Sequence, residues 1–132
     1  MADIRLVGLV AGIFAILFLL IFVLSADVGY KIEILDSDIP EGTDATLTYE
    51  IRNNVFFEGI TNVKFFYWIE GETNPELYKT YEKIESRNSV KDVIQIDTDD
   101  LNDGSYVIWT RIDYYKGGTL YSQSLSLKLT IY

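Results

Sequence analysis

Residues Leu6 to Leu24 read LVGLVAGIFAILFLLIFVL, a run with no charge and no strongly polar side chain. No other stretch limits the possible folds so tightly. At the helical rise of about 1.5 Å per residue the run spans roughly 28 Å, close to the ~30 Å hydrocarbon core of a bilayer. Lipid offers the backbone no hydrogen-bond partner, so the run is expected to be a transmembrane helix. Arg5 precedes it and no further Lys or Arg occurs before Lys31. The positive-inside rule then predicts that residues 1–5 are cytoplasmic and that the rest of the chain lies outside the cell membrane, as a single-pass protein. A cleaved signal peptide is the rival reading. The run exceeds the usual apolar core of such peptides and its charged flank is thin, which favours a retained signal anchor. A pilin-like subunit also carries an apolar helix on a β head, but neither a processing site nor an early Glu in the run is visible here.

Residues 25–29 are expected to be a short linker and residues 30–132 one extracytoplasmic domain, large enough to bury a core without staples. The chain has no Cys and no His, which removes disulfides, thiolate metal sites, His-ligated zinc and Ser-His-Asp catalysis. A net charge of −9 argues against a nucleic-acid partner. No phosphate-binding Gly-rich loop, nucleophile elbow or metal signature occurs. The expectation is a protein that is not an enzyme, with no cofactor and no small-molecule substrate.

Period-2 alternation marks seven strands after Leu24. They cover about 28–35, 45–52, 60–69, 77–83, 90–96, 105–115 and 119–132. In the second, Ala45, Leu47, Tyr49 and Ile51 form the inward set. In the third, Val63, Phe65, Tyr67 and Ile69 face inward, with Phe66 and Trp68 on the other face. In the seventh the inward set is Tyr121, Leu125, Leu127, Leu129 and Ile131. Residues 36–42 read as a turn, and Lys116-Gly117-Gly118 as a hairpin. Seven short strands in about 100 residues predict an all-β, immunoglobulin-like sandwich of the fibronectin III type.

Leu101-Asn102-Asp103-Gly104-Ser105-Tyr106 leads directly into a strand. The pattern is that of a tyrosine corner, in which the phenol bonds back to the preceding turn. With Thr48-Tyr49-Glu50-Ile51-Arg52-Asn53-Asn54 and Asn62-Val63-Lys64-Phe65-Phe66-Tyr67, it makes residues 31–132 resemble a CARDB-type Ig-like domain of archaeal and bacterial surface proteins. Val55-Phe56-Phe57, inserted before Gly59, departs from that family's usual Asn-then-Gly pattern. The resemblance implies a non-catalytic surface module. In architecture alone, an anchor helix plus such a sandwich is also similar to the small archaellum-associated proteins of archaea.

Antiparallel strands send alternate loops to opposite poles. Loops 36–44, 70–76 and 97–104 share one pole and carry acidic residues but no basic ones. Asp97, Asp99, Asp100 and Asp103, with Asp36 and Asp38, are the candidate ligands of a weakly bound calcium ion, which takes six to eight oxygens. The plain alternative is a solubilising surface. The other pole carries Phe56, Phe57, Lys83, Arg87 and Lys116, which suit contact with lipid headgroups. Phe66 and Trp68 are a candidate patch for a partner. The expected function is a membrane-anchored surface protein that binds another protein or a cell-envelope component. An accessory subunit of a larger membrane complex and a filament subunit are the alternatives.

Overall fold

The computed structural model describes residues 27–132, and the expected helix over 6–24 lies outside them. No helix among the described residues is long and apolar enough to cross a membrane. Eight strands form: β1 (Val28–Ile34), β2 (Asp38–Ile39), β3 (Ala45–Asn53), β4 (Ile60–Ile69), β5 (Glu76–Ile84), β6 (Ser89–Ile96), β7 (Gly104–Lys116) and β8 (Thr119–Ile131). They make a three-stranded sheet, β1-β3-β6, and a five-stranded sheet, β2-β8-β7-β4-β5. All pairs are antiparallel except β2 with β8. The all-β sandwich follows from the alternation, because each sheet must bury one apolar face against the other.

The eighth strand corrects the expected seven. Asp38–Ile39 lies within the stretch read as a turn and pairs with Thr130 and Ile131. Ile39 is only 4% exposed. Thr130 N donates to Ser37 O at 2.8 Å and Tyr132 N to Ile39 O at 3.0 Å. Burial of one side chain between polar neighbours leaves no alternation to detect.

The inner faces supply Leu47, Tyr49, Ile51, Ile94 and Ile96 from one sheet and Ile60, Val63, Phe65, Ile108, Ile112 and Leu129 from the other. Tyr49 and Phe65 stack across the core with ring centroids 3.9 Å apart and planes 10° apart. Tyr30 OH donates to Thr110 Oγ1, which donates to Leu125 O at 3.0 Å, so the buried threonine hydroxyl is satisfied. Ile60 and Val63 both face inward although three residues apart. The register of β4 shifts between Thr61 and Lys64, and Asn62 takes φ +47°, a left-handed conformation Asn tolerates.

On β8 the inward positions Tyr121 and Leu125, opposite Tyr114 and Thr110, are not core: they are 39% and 37% exposed. β2 covers β8 only at residues 130 and 131, so the rest of β8 is a sheet edge, and the narrower opposing sheet does not roof its inner side. Tyr67 is half-buried because its hydroxyl reaches outward to Glu76 at 3.2 Å.

The two poles are distinct. At one, Asn54 N donates to Asp27 O at 2.9 Å and Arg87 N to Asn53 O at 2.7 Å, while Lys116 pairs with Asp27. Loops 54–59, 85–88 and 117–118 therefore surround the start of β1. At the other, Thr98 Oγ1 donates to Thr43 O at 2.6 Å, joining loops 40–44 and 97–103.

Candidate functional site

The outer face of the five-stranded sheet carries a ladder of aromatic and cationic groups. Trp68 on β4 lies directly opposite Trp109 on β7. Their rings are 6.3 Å apart at centroids with planes 15° apart. One step along, the Arg111 guanidinium lies 4.5 Å from the Phe66 ring centroid. Arg111 Nε is buried and 3.1 Å from Asp113 Oδ1, too far off line to count as a hydrogen bond but close enough to pair the charges. Asp113 also accepts from Ser122 Oγ at 2.6 Å. Phe66 and Trp68 were identifiable by their place opposite the core-facing set of their strand. Trp109 and Arg111 were missed, because pairing across strands is not written in either strand alone. The alternation of Ile108, Thr110 and Ile112 with Trp109 and Arg111 was the available signal.

Beside the two indoles, the turn after β4 closes a shallow cleft of about 440 Å³, lined by Trp68, Trp109, Glu70, Glu72, Thr73 and Asn74 among others. The turn is fixed by its own bonds. Thr73 Oγ1 accepts from Ile69 N at 2.8 Å, and Glu72 N and Thr73 N both donate to Ile69 O at 3.0 Å. Gly71 takes φ +75°, which a side chain would strain.

At the acidic pole, carboxylate oxygens of Asp44, Asp97 and Asp99 lie within 4.8 Å of one another, all exposed. The Asp97 carboxylate beside Asp99, with Asp44 contributing less, raises the Asp99 pKa above its ordinary value. Asp97 Oδ1 also accepts from Asp99 N at 2.9 Å. Asp36, Asp38, Asp100 and Asp103 lie outside this group. Asp36 instead caps its own turn, accepting from Asp38 N at 3.1 Å. Asp100 lines a neighbouring groove with Asp97, Glu72 and Glu76. Asp44 ends a different loop, and the β3–β6 register that pairs Ala45 with Ile96 sets it beside Asp97, with the Thr98–Thr43 bond joining the two loops just beyond. The tyrosine corner is present beside this pole, with Tyr106 OH donating to Asn102 O at 2.7 Å.

At the opposite pole Phe57 is 95% exposed. The Arg87 guanidinium covers the Phe56 ring at 4.3 Å, and Lys83 pairs with Glu85 at 3.4 Å. Asp27 holds the Lys116 pKa above its usual value, and the ammonium lies 5.1 Å from the Tyr121 ring centroid. The loop is anchored by a residue to which the sequence alone assigned no role of its own. Asn53 is fully buried. Its Nδ2 donates to Glu58 O and Ile84 O, each at 3.0 Å, and its Oδ1 accepts from Val55 N at 2.9 Å.

No family model matches this chain, and no curated protein matches it in sequence. Solved structures do match. The CARDB domain of the PF1109 protein from Pyrococcus furiosus, crystallised in complex with di-metal ions, superposes with a TM-score of 0.58 at 15% identity. That match covers 80% of this chain and 92% of the other. The solution structure of the same domain gives a TM-score of 0.54 at 14% identity, covering 80% and 95%. The GAE domain of GGA2p from Saccharomyces cerevisiae gives 0.51 at 11% identity, covering 79% and 90%. Identities this low speak to the fold alone, and the two PF1109 matches assign it: the chain carries a CARDB-like β-sandwich domain.

Proposed function

We propose that this is a non-catalytic, membrane-anchored surface protein whose external sandwich docks another protein or an envelope component on the outer face of its five-stranded sheet. The observation that carries this reading is the Phe66, Trp68, Trp109 and Arg111 ladder. Aromatic side chains and Arg are the types enriched at interfaces, and here they share one face held flat by the sheet. The apolar run over 6–24 supports the anchor. The chain enters the domain at the pole bearing Phe56, Phe57, Lys83, Arg87 and Lys116, which suits a bilayer surface, and the acidic pole then faces away. A photo-crosslinker at position 66 of the full chain in intact cells should form a discrete adduct. One at Thr46, on the outer face of the other sheet, should not. Equal yields from the two positions would remove the assignment.

A second reading concerns the acidic pole. The PF1109 domain was crystallised in complex with di-metal ions. In this chain Asp44, Asp97 and Asp99 bring three carboxylates together, the ligand type a hard divalent cation such as calcium prefers.

A further inference from the structure

We propose that the cleft beside Trp68 and Trp109 binds a neutral glycan. This deepens the reading above and rests on it, because it names the chemical class of the partner on the same sheet face.

A pyranose ring has two apolar C–H faces and a rim of hydroxyls. Recognising it takes a flat, electron-rich surface bordered by hydrogen-bonding groups. The indole face is negative and attracts polarised C–H groups. The two indoles stack near-parallel, with planes only 15° apart and centroids 6.3 Å apart, and the direct pairing of Trp68 with Trp109 across β4 and β7 fixes their spacing. Both remain partly accessible. Glu70, Glu72 and Asn74 border them in the same cleft. The carboxylates accept charge-assisted bonds from hydroxyls, and the amide can donate or accept. The bonds within residues 69–73 hold this border in place before any ligand arrives, which lowers the entropic cost of binding.

Charge narrows the class. No cationic side chain lines the cleft. Two Glu border it, and the whole chain has a net charge of −9. Uronate, sulfate or phosphate groups would be repelled, so the fitting glycan is uncharged. A protein hot spot favours aromatic anchors in a fully desolvated, closed pocket. This cleft is open and ringed by carboxylates, which water-rich sugar hydroxyls match better.

The chain contains only two tryptophans among ten tyrosines, so emission excited selectively in tryptophan reports this site alone. The full chain in lipid nanodiscs, which avoid maltoside detergents, should be titrated with manno-, cello- and chito-oligosaccharides. Alginate and heparin serve as polyanionic comparators. At least one neutral oligosaccharide should shift the emission saturably, and neither polyanion should. Trp109→Ala should weaken that binding about tenfold or more. Glu72→Gln, on an exposed turn, should weaken it without touching the fold. The inference is overturned if no neutral oligosaccharide changes the emission, or if both variants bind as the parent does. A position-66 adduct that contains protein and no sugar also overturns it but leaves the docking face standing. If position 66 crosslinks no more than position 46, both fall.

Discussion

Replacing Asn53 with Leu is expected to be among the most damaging single changes in the domain. The volume is nearly kept, so packing is not the issue. Three hydrogen bonds are lost, to Ile84 O, Glu58 O and Val55 N. Ile84 is 2% exposed, so water cannot replace the bond to its carbonyl, and that group bears the desolvation penalty of about 1–3 kcal/mol. Glu58 is exposed and Val55 half-buried, so each of the other two bonds costs about 0.5–1 kcal/mol net. The expected loss is roughly 2–5 kcal/mol, a large share of the ~5–15 kcal/mol by which domains are stable. For a domain this size it corresponds to a fall in Tm of roughly 10–30 °C. Urea unfolding of the chain from Asp27 onward, followed by tryptophan emission, measures it. Both tryptophans sit toward the far pole, so a lower midpoint with unchanged m reports global destabilisation. Asn54→Ala, which removes only an exposed bond from Arg52, should stay within about 0.5 kcal/mol of the parent. A loss under about 1 kcal/mol for Asn53→Leu would refute the claim that this side chain holds the loop.

Tyr106→Phe should cost about 1 kcal/mol, at the low end because exposed Asn102 can regain water, and an unchanged urea midpoint would show that the corner clamps nothing. In the full chain reconstituted in vesicles, a spin label at position 57 should be quenched by lipid-phase reagents more than one at position 99, and equal quenching would exclude the proposed orientation. Millimolar calcium should raise Tm more than sodium chloride of equal ionic strength, and Asp97→Asn with Asp99→Asn should erase the difference; identical melts in the two salts would leave the acidic pole a solubilising surface. Asp99 has a raised pKa in the folded state, so its contribution favours folding at low pH and is lost as pH rises through the folded value. Asp99→Asn should therefore stabilise the domain at neutral pH, and melting curves at descending pH should show the gain shrinking across the carboxylate range.

What could be read in the chain beforehand depended on how local the cause was. The strand at Ala45–Asn53 was legible because one face is core and the other water, so its side chains had to alternate. The tyrosine corner was legible because its partners lie four residues apart. Features set by a second segment were not. The inward turn of Ile39 depends on β8, and the exposure of Tyr121 and Leu125 depends on how far β1 and β2 reach. The same holds for the sites. Asp97 and Asp99 are near neighbours in sequence, whereas Asp44 joins them only through the pairing of β3 with β6. Trp68 was visible as an outward aromatic, but the cleft exists only because Trp109 lies opposite it.

The placement of the two poles has a mechanical consequence. β1 enters at Asp27 and runs toward the acidic end, antiparallel to β3 over seven residue pairs. A load between the entry point and the far pole would pull β1 lengthwise. Its bonds to β3 would then be sheared together instead of being unzipped one at a time. Survival under such a pull depends on the unfolding rate, which is set by that row of bonds failing at once. Under the proposed attachment before β1 and docking at the Trp68 end, the load would run in the domain's stronger direction, the arrangement expected of a tether under tension.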